Sequence, residues 1–229
     1  MTYYLFTSVM GRIVMPTVIP GPSVAEELDR TRVVPIVTIE HLADAPPVVT
    51  ALVSGGLPVI EITLRTAAGL EAIRSSHGLG AVLGAGTVTT ADEARQVIDA
   101  GAQFAVSPGI ATDMVSTLVA AGVPVFPGVA TPSEIMIARS LGLRSVKVFP
   151  VGMLGGPAFV RTLSSVWPDM RFMPTGGVTE ATMRDYLAVP SVTAVGGSWI
   201  VPAGLIAERN WSGITQLAQR AADLAQEPT

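Results

Sequence analysis

Residue 147 is the one lysine in a chain that carries thirteen arginines, and it stands inside an apolar run, S-V-K-V-F-P at 145–150. A guanidinium stays protonated and is no nucleophile, whereas an ammonium taken out of water gives up its proton readily and the free amine attacks a carbonyl. The competing reading is a leftover amine whose stem lies along an apolar wall while its head reaches water. A carboxylate in a second run bears on the choice: Glu61 lies in V-I-E-I-T-L-R at 59–65. Side chains alternate between the two faces of a strand. Ile60, Ile62 and Leu64 therefore share a face suited to a layer of helices, leaving Glu61, Thr63 and Arg65 on the other. By the same parity Val146 and Val148 point outward, while Ser145, Lys147 and Phe149 point inward, as do Arg171, Met173 and Thr175 in a later run. An amine nucleophile and a carboxylate that moves protons then face one interior. A purely structural ion pair there carries a desolvation cost that leucines would avoid. Arg65 at the end of its run is either a solvated strand-end charge or a bidentate grip for a substrate carboxylate.

Glycines supply a second set of candidates. Two runs end in glycine pairs, P-T-G-G at 174–177 and V-G-G-S at 195–198, each ahead of a helical segment. Backbone amides reach an anion only where no side chain intervenes, so two such pairs on neighbouring strands suit a phosphate; tight turns are the alternative. G-A-G-T at 84–87 and S-P-G at 107–109 also close strand runs, and taken singly are no more than turn chemistry.

The elements that must position these residues follow from the spacing. Short β-branched runs at 33–39, 58–64, 81–88, 103–108, 124–130, 145–150, 171–177 and 192–198 alternate with helical segments. Thr90, Thr131 and Thr179 precede acidic residues as helix starts. Eight such units predict an α/β protein with a (β/α)8 barrel, whose active sites sit at the C-terminal strand ends. An open doubly wound sheet would place a G-x-G-x-x-G turn after its first strand, where this chain has I-E-H-L-A-D. Residues 1–32, with Pro16, Pro20 and Pro22 and then A-E-E-L-D-R-T-R, read as an arm and a short covering helix; residues 33–229 read as the catalytic barrel with a C-terminal helix. Met10 and Met15 allow the arm to be an extended translation start.

Composition narrows the function. With 49% hydrophobic and 14% charged residues the chain can build a large core. A net charge of −4 and the lack of arginines interleaved with aromatics argue against nucleic acid as a partner. The absence of cysteine removes disulfides, thiolate metal sites and a thiol nucleophile, and His41 and His77 have no second histidine at ligand spacing, so no metal site is expected. Both histidines read as surface or cap residues. No apolar run reaches membrane-span length, and the first residues lack the positive charge of a secretory signal. A cytoplasmic enzyme is the expectation.

Six stretches, in order, resemble one family over most of residues 33–202: E-I-T-L-R-T (61–66), G-A-G-T-V (84–88), A-G-A-Q-F-A-V-S-P-G (100–109), K-V-F-P (147–150), P-T-G-G-V (174–178) and G-G-S-W-I-V-P (196–202). They are similar to the 2-keto-3-deoxy-6-phosphogluconate (KDPG) and 2-keto-4-hydroxyglutarate (KHG) aldolases, which are class I enzymes without a cofactor. The resemblance implies that Lys147 forms a Schiff base, Glu61 is the general acid/base, and Arg65 and Thr87 hold the pyruvyl carboxylate. It further implies that Pro108, Phe149 and Thr175 line the pocket, that Gly176, Gly177, Gly197 and Ser198 receive the phosphate, and that the molecule is a homotrimer acting on a small keto acid. The expected reaction releases pyruvate and glyceraldehyde 3-phosphate, with glyoxylate release from KHG as a second activity. A phosphogalactonate-type aldolase and a non-aldolase phosphate-binding barrel remain the alternatives. The chain departs from the family in its N-terminal arm and in P-V-G-M-L-G-G-P at 150–157, where Val151 replaces the usual alanine and Pro157 follows the glycine pair.

Overall fold

The computed structural model describes residues 23–227. The arm expected at the N-terminus falls on residues 1–22, outside the described residues. The covering helix is present as α1 (Val24–Thr31). The strands are β1 (Val33–Val37), β2 (Val59–Thr63), β3 (Val82–Gly86), β4 (Phe104–Val106), β5 (Val125–Phe126), β6 (Gly128–Val129), β7 (Ser145–Val148), β8 (Arg171–Pro174) and β9 (Val195–Gly197). Between and after them run α2 (Ala45–Ser54), α3 (Gly69–Ser75), α4 (Ala91–Asp99), α5 (Thr112–Ala120), α6 (Pro132–Ser140), α7 (Gly156–Val166), α8 (Met183–Leu187), α9 (Ala203–Ala207) and α10 (Trp211–Gln226).

Eight strand runs thus become nine pieces, and Pro127 is the reason. It has no N–H for a ladder, so the fifth run pairs with β4 through β5 and then changes neighbour, pairing with β7 through β6. Its carbonyl still accepts from the Lys147 N–H at 2.9 Å. All pairings are parallel, in the order β5-β4-β3-β2-β1-β9 and β6-β7-β8. Bridges Phe172↔Val192 and Thr175↔Gly196 join β8 to β9 and close the (β/α)8 barrel.

Helix starts are written into the chain. Ser23 with Glu26, Thr90 with Glu93, and Thr131 with Glu134 form reciprocal capping boxes on α1, α4 and α6. Thr179 is a correction. It does not cap a helix; its N–H donates to the Thr182 hydroxyl at 3.0 Å, and α8 begins only at Met183. The local threonine pair satisfies the backbone in a turn, which competes with helix initiation.

Strand parity divides the core as alternation requires. Ile60, Ile62, Val146 and Val148 join the layer between strands and helices with residues such as Val48, Leu52, Val97 and Leu163. Inside the barrel, Val34, Val59, Phe104, Val106, Phe126, Met173 and Ala194 form a second apolar cluster, closed from below by Leu28 of α1. Phe104 and Phe126 meet edge to face, with ring centroids 6.1 Å apart. Gly84 makes room for this, because a Cβ there would lie 2.2 Å from the Phe104 ring. Arg171, expected inward by parity, is instead exposed at the first position of β8, its guanidinium donating to the Pro190 carbonyl at 3.2 Å. A charge at the open entry of the barrel swings to water rather than join hydrocarbon.

The C-terminal helix α10 lies over the first unit: a Cβ on Gly55 would meet Ala218 at 2.5 Å, and the Thr215 hydroxyl donates to the Ala51 carbonyl. No helix among the described residues is long and apolar enough to cross a membrane.

Candidate active site

Above the apolar cluster the interior turns polar. Glu61 on β2 and Lys147 on β7 meet there, Oε1 to Nζ at 3.7 Å, with side-chain exposures of 1% and 5%. That separation is an ion-pair contact rather than a hydrogen bond. Glu61 Oε2 is buried and finds no hydrogen-bond partner among the described residues. An acceptor left open beside an amine is costly in a purely structural pair and useful in a proton-transfer site.

Neighbouring residues hold both groups in place. A Cβ on Gly86 would lie 2.2 Å from Glu61 Oε1, so the bare backbone of β3 supplies the space the carboxylate occupies. Two residues above Glu61, the Thr63 and Thr38 hydroxyls bond at 3.0 Å and tie β2 to the end of β1. Lys147 Nζ lies 5.0 Å from the centroid of the Phe149 ring, an apolar wall that also attracts a cation. Phe149 in turn packs on Gly176, where a Cβ would come within 2.9 Å of the ring.

The expected binding residues share this end of the barrel. Thr175 is buried directly after β8, its hydroxyl donating to the Met173 carbonyl at 3.2 Å. Gly176 and Gly177 take φ of 82° and 93°, a region closed to most side chains, and among the described residues no backbone hydrogen bond engages the Gly177 N–H. The turn after β7 presses onto them, with the Val151 and Gly152 amides donating to the Thr175 and Gly176 carbonyls, both at 2.9 Å. Gly152 is needed for that approach, since its Cβ would sit 3.2 Å from the Gly177 Cα. Gly197 is buried under Trp199, whose ring covers the place of a side chain, and Ser198 beside it is exposed.

Three residues stand at the rim, outside the contacts that Lys147 makes among the described residues. Thr87, directly after β3, holds φ of 63°, which costs a threonine about 1–2 kcal/mol and marks a backbone fixed by its surroundings. Arg65 is exposed two residues past β2 and makes no ion pair among the described residues. Pro108 is exposed after β4, its carbonyl set against Gly128, where a Cβ would lie 2.2 Å away. Alternation along single strands could not have revealed Gly86, Gly128, Gly152 or the Thr38–Thr63 pair, because each role depends on what the next strand places opposite. No group of three or more histidines, aspartates or glutamates among the described residues could hold a metal ion. His41 occupies a cap position without a side-chain cap bond, and a His77 ring nitrogen bonds with the Ala100 carbonyl at 2.9 Å.

The family model of KDPG and KHG aldolases matches residues 24–217. The 2-dehydro-3-deoxy-phosphogluconate aldolase of Treponema pallidum is 42% identical over 200 residues, 86% of this chain and 95% of its own. The crystal structure of the KDPG aldolase of Zymomonas mobilis ZM4 with 3-phosphoglycerate superposes with a TM-score of 0.81 at 42% identity, covering 86% of this chain and 94% of that one. The KDPG aldolase of Legionella pneumophila, with pyruvate captured at low pH as a covalent carbinolamine, superposes with a TM-score of 0.82 at 38% identity, over 85% and 96%.

Proposed function

The chain belongs to the KDPG and KHG aldolase family of lyases, and on that footing we propose that it cleaves KDPG to pyruvate and glyceraldehyde 3-phosphate through a Schiff base on Lys147. The observation that carries this reading is the buried Lys147–Glu61 contact at 3.7 Å, with Glu61 Oε2 unpartnered. Lys147 Nζ adds to the C2 ketone, and loss of water leaves an iminium. Glu61 takes the C4 hydroxyl proton, the C3–C4 bond breaks, and its electrons flow into the iminium to give an enamine and the free aldehyde. Glu61 returns the proton to C3, and water releases pyruvate. The iminium is the electron sink.

Arg65 and Thr87 hold the pyruvyl carboxylate in this reading, an assignment supported by an exposed guanidinium with no carboxylate partner among the described residues and by the constrained backbone at Thr87. Pro108, Phe149 and Thr175 wall the pocket. Gly176, Gly177, Gly197 and Ser198 take the phosphate, supported by the positive φ of the first two and by the 3-phosphoglycerate bound to the Zymomonas relative. The chain is a homotrimer, the assembly the family resemblance implies; exposed Met136 and Ile137 on α6 offer apolar surface for it. Sedimentation will check the stoichiometry.

Borohydride reduction in the presence of pyruvate is the decisive experiment, because only Lys147 or the terminal amine can carry an adduct. The adduct is expected on the peptide containing S-V-K-V-F-P, and Glu61→Gln should retain it while turnover drops by about 10² to 10⁴. Normal cleavage with no adduct at Lys147 rejects the mechanism.

A further inference from the structure

At the opposite end of the barrel, four guanidiniums gather on adjoining segments of an otherwise acidic chain: Arg139 ends α6, Arg144 precedes β7, Arg161 lies on α7 and Arg171 opens β8. The carboxylate among them is Asp169, and it is taken. Arg139 grips both its oxygens, at 2.5 and 2.7 Å, and Arg144 stands 3.6 Å away. The hydrogen bond from Arg139 and the charge of Arg144 hold Asp169 below the usual carboxylate range, so it stays an anion committed to that pair. Among the described residues Arg161 and Arg171 have no carboxylate partner.

Those two line one cavity of about 410 Å³ with Ser164, Ser165, Pro190 and Ser191, and no acidic residue among the described residues lines it. Its size falls within the range of small-ligand sites, about 300–1,000 Å³. Ser164 and Ser191 hydroxyls bond to each other, which uses one hydroxyl proton and leaves the other free to donate. We propose that this cavity binds a small dianion, a phosphate monoester, between the Arg161 and Arg171 guanidiniums with the free serine hydroxyl as a third donor. Forked guanidiniums match phosphate oxygens in geometry and charge. The site is separate from the catalytic one. Arg171 and Thr175 lie at opposite ends of the same strand run, four residues or about 13 Å apart, with the Phe104–Phe126 cluster between the two ends.

The test is a titration of the full-length protein with inorganic phosphate at constant ionic strength, read through the arginine Nε–Hε NMR resonances. The Arg161 and Arg171 signals should move together along one saturating curve, and Arg161→Gln should weaken the response at Arg171 by about tenfold or more. Arg161→Lys should retain part of it, and kcat and KM for aldol cleavage should be unchanged in both variants. Arg161 is exposed, and its side chain makes no hydrogen bond or ion pair among the described residues. Equal shifts with chloride, a curve unaltered by Arg161→Gln, or a raised KM in that variant would each overturn the assignment. A changed oligomeric state in Arg161→Gln would give the pair to a carboxylate of a second copy instead.

Discussion

Where the strands enter the barrel, its interior is hydrocarbon: Leu28, Phe104, Phe126 and Met173 pack without a polar atom among their side chains, apart from the soft sulfur of the methionine. Where the strands leave, the same interior holds a buried ion pair with an open carboxylate oxygen, a threonine at positive φ and two glycines in left-handed backbone. The core of the first end follows the ordinary preference for close apolar packing, and the second departs from several preferences within a few residues. Such departures persist only when their surroundings hold them. The packed floor supplies that support, so each end can be perturbed with little effect on what the other does.

The largest expected effect is at the exit end. Lys147→Arg keeps the positive charge and the fold but removes the amine, and kcat/KM should fall by more than about 10⁴-fold while the thermal midpoint stays close to the parent. Residual turnover near the parent value would show that charge alone suffices. At the entry end the pattern reverses: Leu28→Ala should lower unfolding free energy by about 2–5 kcal/mol in denaturant melts and leave kcat unchanged. A loss of kcat with stability intact would mean that α1 governs the site rather than closing the floor.

Gly86→Ala sharpens the boundary between the ends. Its backbone is free of left-handed strain, yet the new methyl would occupy the space of Glu61 Oε1. The expected result is a kcat reduced by about 10²-fold, as for a displaced catalytic group, with pyruvate adduct formation retained. The smallest effect lies outside both ends, in the helix caps. Glu93 and Glu134 are pushed up by partial burial, but the hydrogen bonds they accept from threonine and backbone donors outweigh it, so both lie below the ordinary 4.5. Their stabilising contribution is therefore present above pH 4.5 and fades as pH falls through the depressed folded values. Thermal midpoints measured downward from pH 5 should drop less steeply in a Glu93→Gln, Glu134→Gln double variant than in the parent.

These differences between regions also decide what could be read from the chain. Parity alone placed Ile60 and Ile62 against the helices and Glu61 inside, because a two-residue period is a property of one strand. Lys147 stood out through its chemistry and its rarity. Pro127 could be seen, but its role in passing a strand from β4 to β7 depends on two partners. Thr179 carried the residue type of a cap and became a turn, its N–H donating to the Thr182 hydroxyl and its carbonyl accepting from the Thr182 and Met183 amides. The uses of Gly86 and Gly152, and the closure of the floor by Leu28, arise between segments far apart in the chain.

The burial of Lys147 has one more consequence. A protease that cuts only after lysine has a single target here, the bond between residues 147 and 148, held within β7. Cleavage there requires the barrel itself to open, because local fraying of loops or of helix ends exposes no other lysine. The rate at which full-length chain is lost to such a protease is thus a gauge of global opening, governed by equilibrium when reclosure outruns cutting and by the unfolding rate when it does not.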